Sequence, residues 1–150
     1  MTLIIGVDPG SSGAVAWYRS GEHHAVPFKG LEDNELLEVF EGLGSHVFAY
    51  LEGVHSMPGQ GVASTFKFGV HFGKLKMALT SAGISYETVA PSKWQRKMGC
   101  LSGGDKKVTR EKAIELFPLV NIHGRGAKPP THAVADALLI AEYGRLTRGE

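Results

Sequence analysis

Apolar positions along the chain alternate between two regimes, and the change of regime marks the elements. Residues 2–7 (TLIIGV) form a near-continuous apolar run, the pattern of a strand covered on both faces. Pro9 and Gly10 follow it and suit a tight turn, because proline presets φ and glycine tolerates positive φ. Residues 13–18 return as an antiparallel partner, and a third strand over 23–28 follows the Ser20-Gly21 turn. From 32 to 43 the period lengthens: Leu36, Leu37, Val39, Phe40 and Leu43 fall at helical spacing, with acids in the first turn and Gly44 past the end. Val47–Glu52 and Ser85–Val89 read as further strands, the first of them again ending on an acid.

Residues 62–82 are predicted as a helix with two apolar stripes. Phe68, Phe72, Leu75 and Leu79 form one; Val62, Phe66, Val70 and Met77 form another, roughly opposite. Lys67, His71 and Lys74 line one edge between them. Such a helix is buried on two sides: one against the sheet, the other against more of the chain or a partner subunit. Residues 92–98 are expected to form a short helix with Lys93, Arg96 and Lys97 on one side, and 101–107 a loop. A helix over 109–117 takes Thr109 as its N-cap, a Gly-rich basic loop covers 123–130, and Thr131 caps a last helix reaching about 148. Three strands, a helix, a strand, a helix, a strand and then helices predict a single-domain α/β sandwich.

Composition adds a compartment and a charge map. The 150 residues hold one cysteine, Cys100, which excludes an internal disulfide and suits a reducing compartment. No apolar stretch reaches membrane-spanning length and no charged leader precedes the first apolar run, so the chain reads as cytoplasmic. Sixteen bases nearly balance 15 acids, but not locally. Residues 31–52 hold six acids and no Lys or Arg, whereas residues 91–112 hold seven bases against two acids. One face is therefore suited to a polyanion.

Against that map, three acids occupy unusual places. Asp8 and Glu52 end two apolar strands separated by one helical crossover. If those strands are parallel neighbours, both carboxylates project from the carboxyl edge of the sheet, where open α/β folds place their sites. Side-by-side carboxylates repel unless one is protonated or a cation lies between them, and oxygen-only ligands favour Mg²⁺ or Mn²⁺. His132 and Asp136 lie four apart in "HAVADALLIA" and share a helix face with Leu139 and Tyr143. Burial of Leu139 turns that face, and Asp136 with it, inward. Phe66, Phe68 and Trp94 are read most simply as core residues.

At these residues the chain resembles a known family. "IGVDPGSSGAVAW", "AYLEGVHSMPGQGVASTFKFG", "VAPSKWQRKMG", "KKVTREKAIELFP" and "HAVADALLIAEYGR" resemble, in order, the RuvC Holliday-junction resolvases, most closely their compact bacteriophage-type branch. The resemblance implies an RNase H-like fold with a five-stranded mixed β-sheet flanked by α-helices. It implies a homodimer that resolves four-way DNA junctions by symmetric nicks. Asp8, Glu52 and Asp136 match the family's acids, and the two-striped helix matches its dimer helix. The family usually carries a fourth acid three residues before the last; here that residue is Ala133, and His132 is the nearest substitute.

On this resemblance two Mg²⁺ or Mn²⁺ ions per subunit, about 4 Å apart, are held by Asp8, Glu52 and Asp136. DNA is gripped by Lys67, Lys74, Lys93, Arg96, Lys97, Lys106, Lys107, Arg110, Arg125 and Lys128. The aromatic that wedges into the junction is Phe66 or Phe68. The alternative is an RNase H-like nuclease acting on other branched DNA or RNA-containing substrates, since the metal chemistry is shared.

Overall fold

A central sheet carries the molecule, and its register explains where the acids lie. A computed structural model describes residues 1–53 and 59–149. Strands β1 (Leu3–Asp8), β2 (Ala14–Arg19) and β3 (Glu22–Pro27) form an antiparallel meander. Helix α1 (Asp33–Glu41) opens with a capping box between Glu32 and Glu35, which satisfies its first free amides. It leads to β4 (Val47–Glu52), which pairs parallel to β1 with Val7 opposite Leu51. The Gly-, Pro- and His-rich composition of 53–61 predicts a loop there, of which residues 54–58 lie outside the described residues. Helix α2 (Val62–Ser81) then crosses to β5 (Ser85–Val89), parallel to β4.

The remaining elements are α3 (Pro91–Lys97), α4 (Lys106–Leu116), β6 (Val120–Ile122), β7 (Ala127–Lys128) and α5 (His132–Arg148). The sheet order is β5-β4-β1-β2-β3-β6-β7. The expected five strands are there, contiguous, but the sheet has seven. The stretch 123–130, expected as a loop, closes a hairpin whose first strand pairs with β3 and whose turn brings β7 back beside it. At three and two residues these strands are too short to display a period-two pattern. Helix α4 also starts earlier than expected. Asp105, not Thr109, is its N-cap, accepting from the Lys107 amide at 3.0 Å, and Thr109 is buried one turn inside.

Pleating sends alternate side chains to opposite faces. Ile5 and Val7 of β1 with Ala49 and Leu51 of β4 face Leu36 and Phe40 of α1 and Leu75 and Leu79 of α2. Ile4 and Tyr50 face the other way, into a core with Trp94 of α3, Ala113 of α4 and Leu139 of α5. By the same alternation Gly6, Asp8 and Glu52 belong to the α5 face. Gly6 matters for a steric reason: a Cβ there would overlap the Ala137 carbonyl oxygen and the Ala141 amide nitrogen of α5. Gly144 is its counterpart, since a Cβ would collide with Tyr50 and Ile4. Two glycines thus let α5 lie directly on β1 and β4.

The two stripes of α2 have different fates. Leu75 and Leu79 are fully buried, and Phe68 and Phe72 partly so. The other stripe is bare: Val62 is 88% exposed, Phe66 72%, Val70 46% and Met77 65%. Phe66 is therefore not a core residue. His71, expected on a polar edge, is buried against Phe28. Among the described residues no helix is long and apolar enough to cross a membrane.

The glycine argument is testable. Gly6→Ala is expected to lower unfolding stability by about 3 kcal/mol, the upper end of the usual overpacking range, because the obstructing atoms are backbone rather than movable side chain. Urea denaturation of the two proteins measures it, and an unchanged midpoint would remove the close β1–α5 contact from the account.

Candidate active site

The expected acids meet in one cleft at the carboxyl edge of β1 and β4. Val7 and Leu51 are the last matched pair of those strands, so Asp8 and Glu52 follow one residue on in both. Asp136, in the second turn of α5, arrives from above because α5 lies so close to Gly6. The cleft is about 540 Å³ and is lined by Asp8, Glu52, His132 and Asp136 with Phe68, Lys67 and Lys106. Gly10 and Gly13 shape its floor: Gly10 has φ +111°, and a Cβ on Gly13 would overlap the Asp8 carbonyl oxygen. Ala133 also lines the cleft, so the position where the resembled family carries a further acid does face the site.

Electrostatically the cleft is strained. Burial raises the Asp8 pKa well above the usual aspartate value; Glu52 and Asp136 push it further, and Lys106 pulls it back. Burial also lifts Glu52, to about 7, with the charge of Asp136 adding to it and a hydrogen bond from Trp94 opposing it. Asp136 is raised for the same first reason, burial, and is held down by the Thr109 hydroxyl, His132 and Lys106. The His132 Nε2 stands 3.8 Å from Asp136 Oδ2. Two polar atoms here, His132 Nδ1 and Asp136 Oδ1, are buried without a hydrogen-bond partner.

That chemistry matches what a hard divalent cation requires of its ligands. The donors are oxygens of three partly buried carboxylates lining one cleft, they repel one another, and one oxygen lacks any hydrogen-bond partner; all of this fits a hard divalent cation. Among the described residues no three His, Cys, Asp or Glu groups stand close enough to form a finished metal cage. The fit is thus one of donor type, charge and placement.

Of the ten bases expected to hold DNA, Lys67 and Lys106 line the cleft itself. Lys74 does not; its ammonium is paired with Asp33 at 2.8 Å. Lys93, Arg96 and Lys97 project from α3, Lys107 and Arg110 from α4, and Arg125 and Lys128 from the β6–β7 hairpin, all exposed. Lys97 donates to Thr147 Oγ1 at 3.3 Å.

Two residues near the acids went unrecognised in the sequence. Trp94, read as core, is completely buried, yet its indole Nε1 donates to Glu52 Oε2 at 2.7 Å. Thr109, read as a cap, sits beside Asp136.

Burial of Glu52, with the charge of Asp136 adding to it, makes a pH prediction. A raised acid pKa means the folded state holds its proton more tightly than the unfolded chain, so stability is greatest at low pH and falls as pH rises. For Glu52 the window runs from 4.5, the ordinary value, to about 7. His23 and His71, whose pKa values burial lowers, tilt stability the other way, so the readout is a difference. With chelator present, Glu52→Gln should recover on the order of 2 kcal/mol relative to the unsubstituted protein at pH 8 but little at pH 5. Equal differences at both pH values in thermal or urea unfolding would contradict the placement of Glu52.

No protein-family profile matches the chain, and no curated protein matches it by sequence. Solved structures do. The chain is similar to Thermus thermophilus RuvC with a TM-score of 0.64 at 18% identity, covering 99% of this chain and 97% of that one. T. thermophilus RuvC in complex with Holliday junction substrate gives 0.63 at 16% identity, over 99% and 96%. Ydc2, the yeast mitochondrial Holliday junction resolvase, gives 0.53 at 10% identity, over 95% and 77%. The chain has the fold of these resolvases from end to end.

Proposed function

We propose that the chain is a metal-dependent, structure-selective endodeoxyribonuclease that resolves four-way DNA junctions by paired symmetric nicks, working as a homodimer. The observation that carries this reading is the convergence of Asp8, Glu52 and Asp136 on one cleft flanked by Lys67 and Lys106. The likeness to RuvC and Ydc2 supports the choice of a branched substrate.

In this reading Asp8, Glu52 and Asp136 hold Mg²⁺ or Mn²⁺, two ions per subunit. The ions, when bound, lower the pKa of an attacking water and stabilise the leaving 3′-oxygen. The chain's own residues do the rest. Lys67 and Lys106 draw the scissile phosphate into a cleft whose acids alone would repel it. His132, which also lines the cleft, hydrogen-bonds the attacking water or the phosphate. Lys93, Arg96, Lys97, Lys107, Arg110, Arg125 and Lys128 grip the arms of the junction through phosphates, which positions without reading sequence. Phe68, which reaches the cleft, is placed to stack on an unpaired base beside it.

The dimer rests on α2. Its exposed stripe of Val62, Phe66, Val70 and Met77 carries Gly69 and Gly73 between the apolar residues, each with open space where a side chain would be. Two copies of such a helix approach closely, and a two-fold pair presents two clefts to a two-fold junction.

Two experiments test the reading. Asp8→Asn should bind a four-way junction within about two-fold of the unsubstituted chain, yet nick it on the order of 10³-fold more slowly in Mg²⁺. Gel shifts in Ca²⁺ and nicking assays on junctions, duplexes and RNA–DNA hybrids measure both, and preferential cutting of a hybrid would move the substrate to the RNA class. Light scattering should give twice 16.1 kDa, and Phe66→Asp should return the mass to one chain. A monomer before substitution would remove the dimer.

A further inference from the structure

The cleft acids differ in how they are held. Asp8 is fixed by its place at the end of β1 beside β2. Glu52 ends a strand too, but its carboxylate is gripped from outside that strand, by a residue 42 positions away. The donor is the Trp94 indole, which is 0% exposed, whereas Glu52 itself is only partly buried and lines the cleft. The N–H···O distance of 2.7 Å is at the short end of the range for a charge-assisted bond.

The geometry points to Trp94 as a positioning residue that fixes the rotamer of Glu52 by holding its Oε2 and leaving Oε1 to the cleft. Several features make this more than the ordinary need of a buried indole for an acceptor. Helix α3 starts with Pro91 at its first turn, which sets its direction, and buries Trp94 on its inner side, with Met98 just past its end also buried. The ring is locked in the core beneath α5, so the donor cannot swing to another acceptor, and at zero exposure water cannot substitute for it. A free glutamate side chain has three rotatable bonds; one whose oxygen is pinned by an immobile donor has lost most of that freedom before any ligand arrives. Partners of this kind commonly set metal affinity by 10–100-fold without touching the ion.

The inference rests on the proposed metal-bearing role of Glu52, and its test separates the two. Trp94→Phe keeps an aromatic ring and removes the donor. Provided circular dichroism shows it folded, its Mn²⁺ affinity by calorimetry should fall about 10–100-fold. The Mg²⁺ concentration that half-activates nicking should rise with it, while the rate at saturating Mg²⁺ stays within a few-fold. A packing role would instead lower the rate at every Mg²⁺ concentration.

The unsubstituted protein offers a second readout, independent of that variant's folding. The chain has only two tryptophans, Trp17 and Trp94, hence two indole N–H signals in a ¹H–¹⁵N spectrum. Mg²⁺ should shift the Trp94 signal and leave that of Trp17 in place, and Glu52→Gln should abolish the shift. Unchanged Mn²⁺ affinity in a folded Trp94→Phe, or a Trp94 signal that Mg²⁺ does not move, would overturn the inference. If the protein binds Mn²⁺ with the expected Trp94 response but cuts no junction, the nuclease reading fails and the positioning role stands.

Discussion

One steric constraint organises the molecule: α5 rests on β1 with no side chain between them at Gly6. A normal Cβ there would meet α5 backbone, which cannot rotate aside as a side chain can. The helix therefore lies close enough for Asp136 to share a cleft with Asp8, although the two are 128 positions apart in the chain. Gly144 repeats the arrangement against Tyr50 and Ile4, so the contact extends along the helix rather than acting as a pivot. Between the two glycines α5 is lined with Ala137, Leu138, Ile140 and Ala141, nearly all fully buried. Small residues near β1 and larger ones to either side give the helix a single seating depth.

That seating forces an electrostatic cost on the fold. Bringing three carboxylates under one roof raises all three pKa values, with burial the largest cause in each case. The molecule offsets this only partly. Lys106 acts on Asp8 and Asp136, Trp94 on Glu52, and Thr109 and His132 on Asp136. One Asp136 oxygen remains without a partner. A folded chain that faces three buried carboxylates onto one surface cleft has destabilising charges concentrated where a cation would relieve them.

Much of this was legible in the sequence because it depends on period and on chain ends. Strands with apolar runs of five or six residues declared themselves, and the acids at their ends were conspicuous because a strand buried on both faces tolerates charge only at its edge. The double stripe of α2 showed too, and the structure divides it into a buried stripe and a bare one. What stayed hidden depends on distance in space. The β6–β7 hairpin is too short for a period and exists because β3 offers it a free edge. Trp94 looks like any core aromatic until its partner 42 residues away is seen. Thr109 suits a cap by residue type, yet Asp105 lies one turn earlier with an oxygen that reaches the Lys107 amide. Nor does spacing single out Lys67 and Lys106 from the other bases, since helices and loops alike carry them and only the packing of α2 and α4 decides which of them enter the cleft.

Helix α2 ties these threads together, because it serves two surfaces at once. Its first turns bring Lys67 and Phe68 to the cleft, while Phe66, one position away, points out of the molecule. Residues one or two apart on a helix cannot face the same way, so the site and the bare stripe are rigidly related through a single 20-residue rod. If that stripe is covered by a second copy, the distance and angle between two clefts are set by helix geometry rather than by loops. Matched cuts on opposite strands of a junction need such a fixed separation, since a pair of sites that drifted would cut at unmatched positions and leave ends that do not rejoin. On the proposed function, then, the exposed apolar residues and the acids belong to one device: the acids would set the chemistry at one phosphate, and the stripe would set where the second phosphate must be.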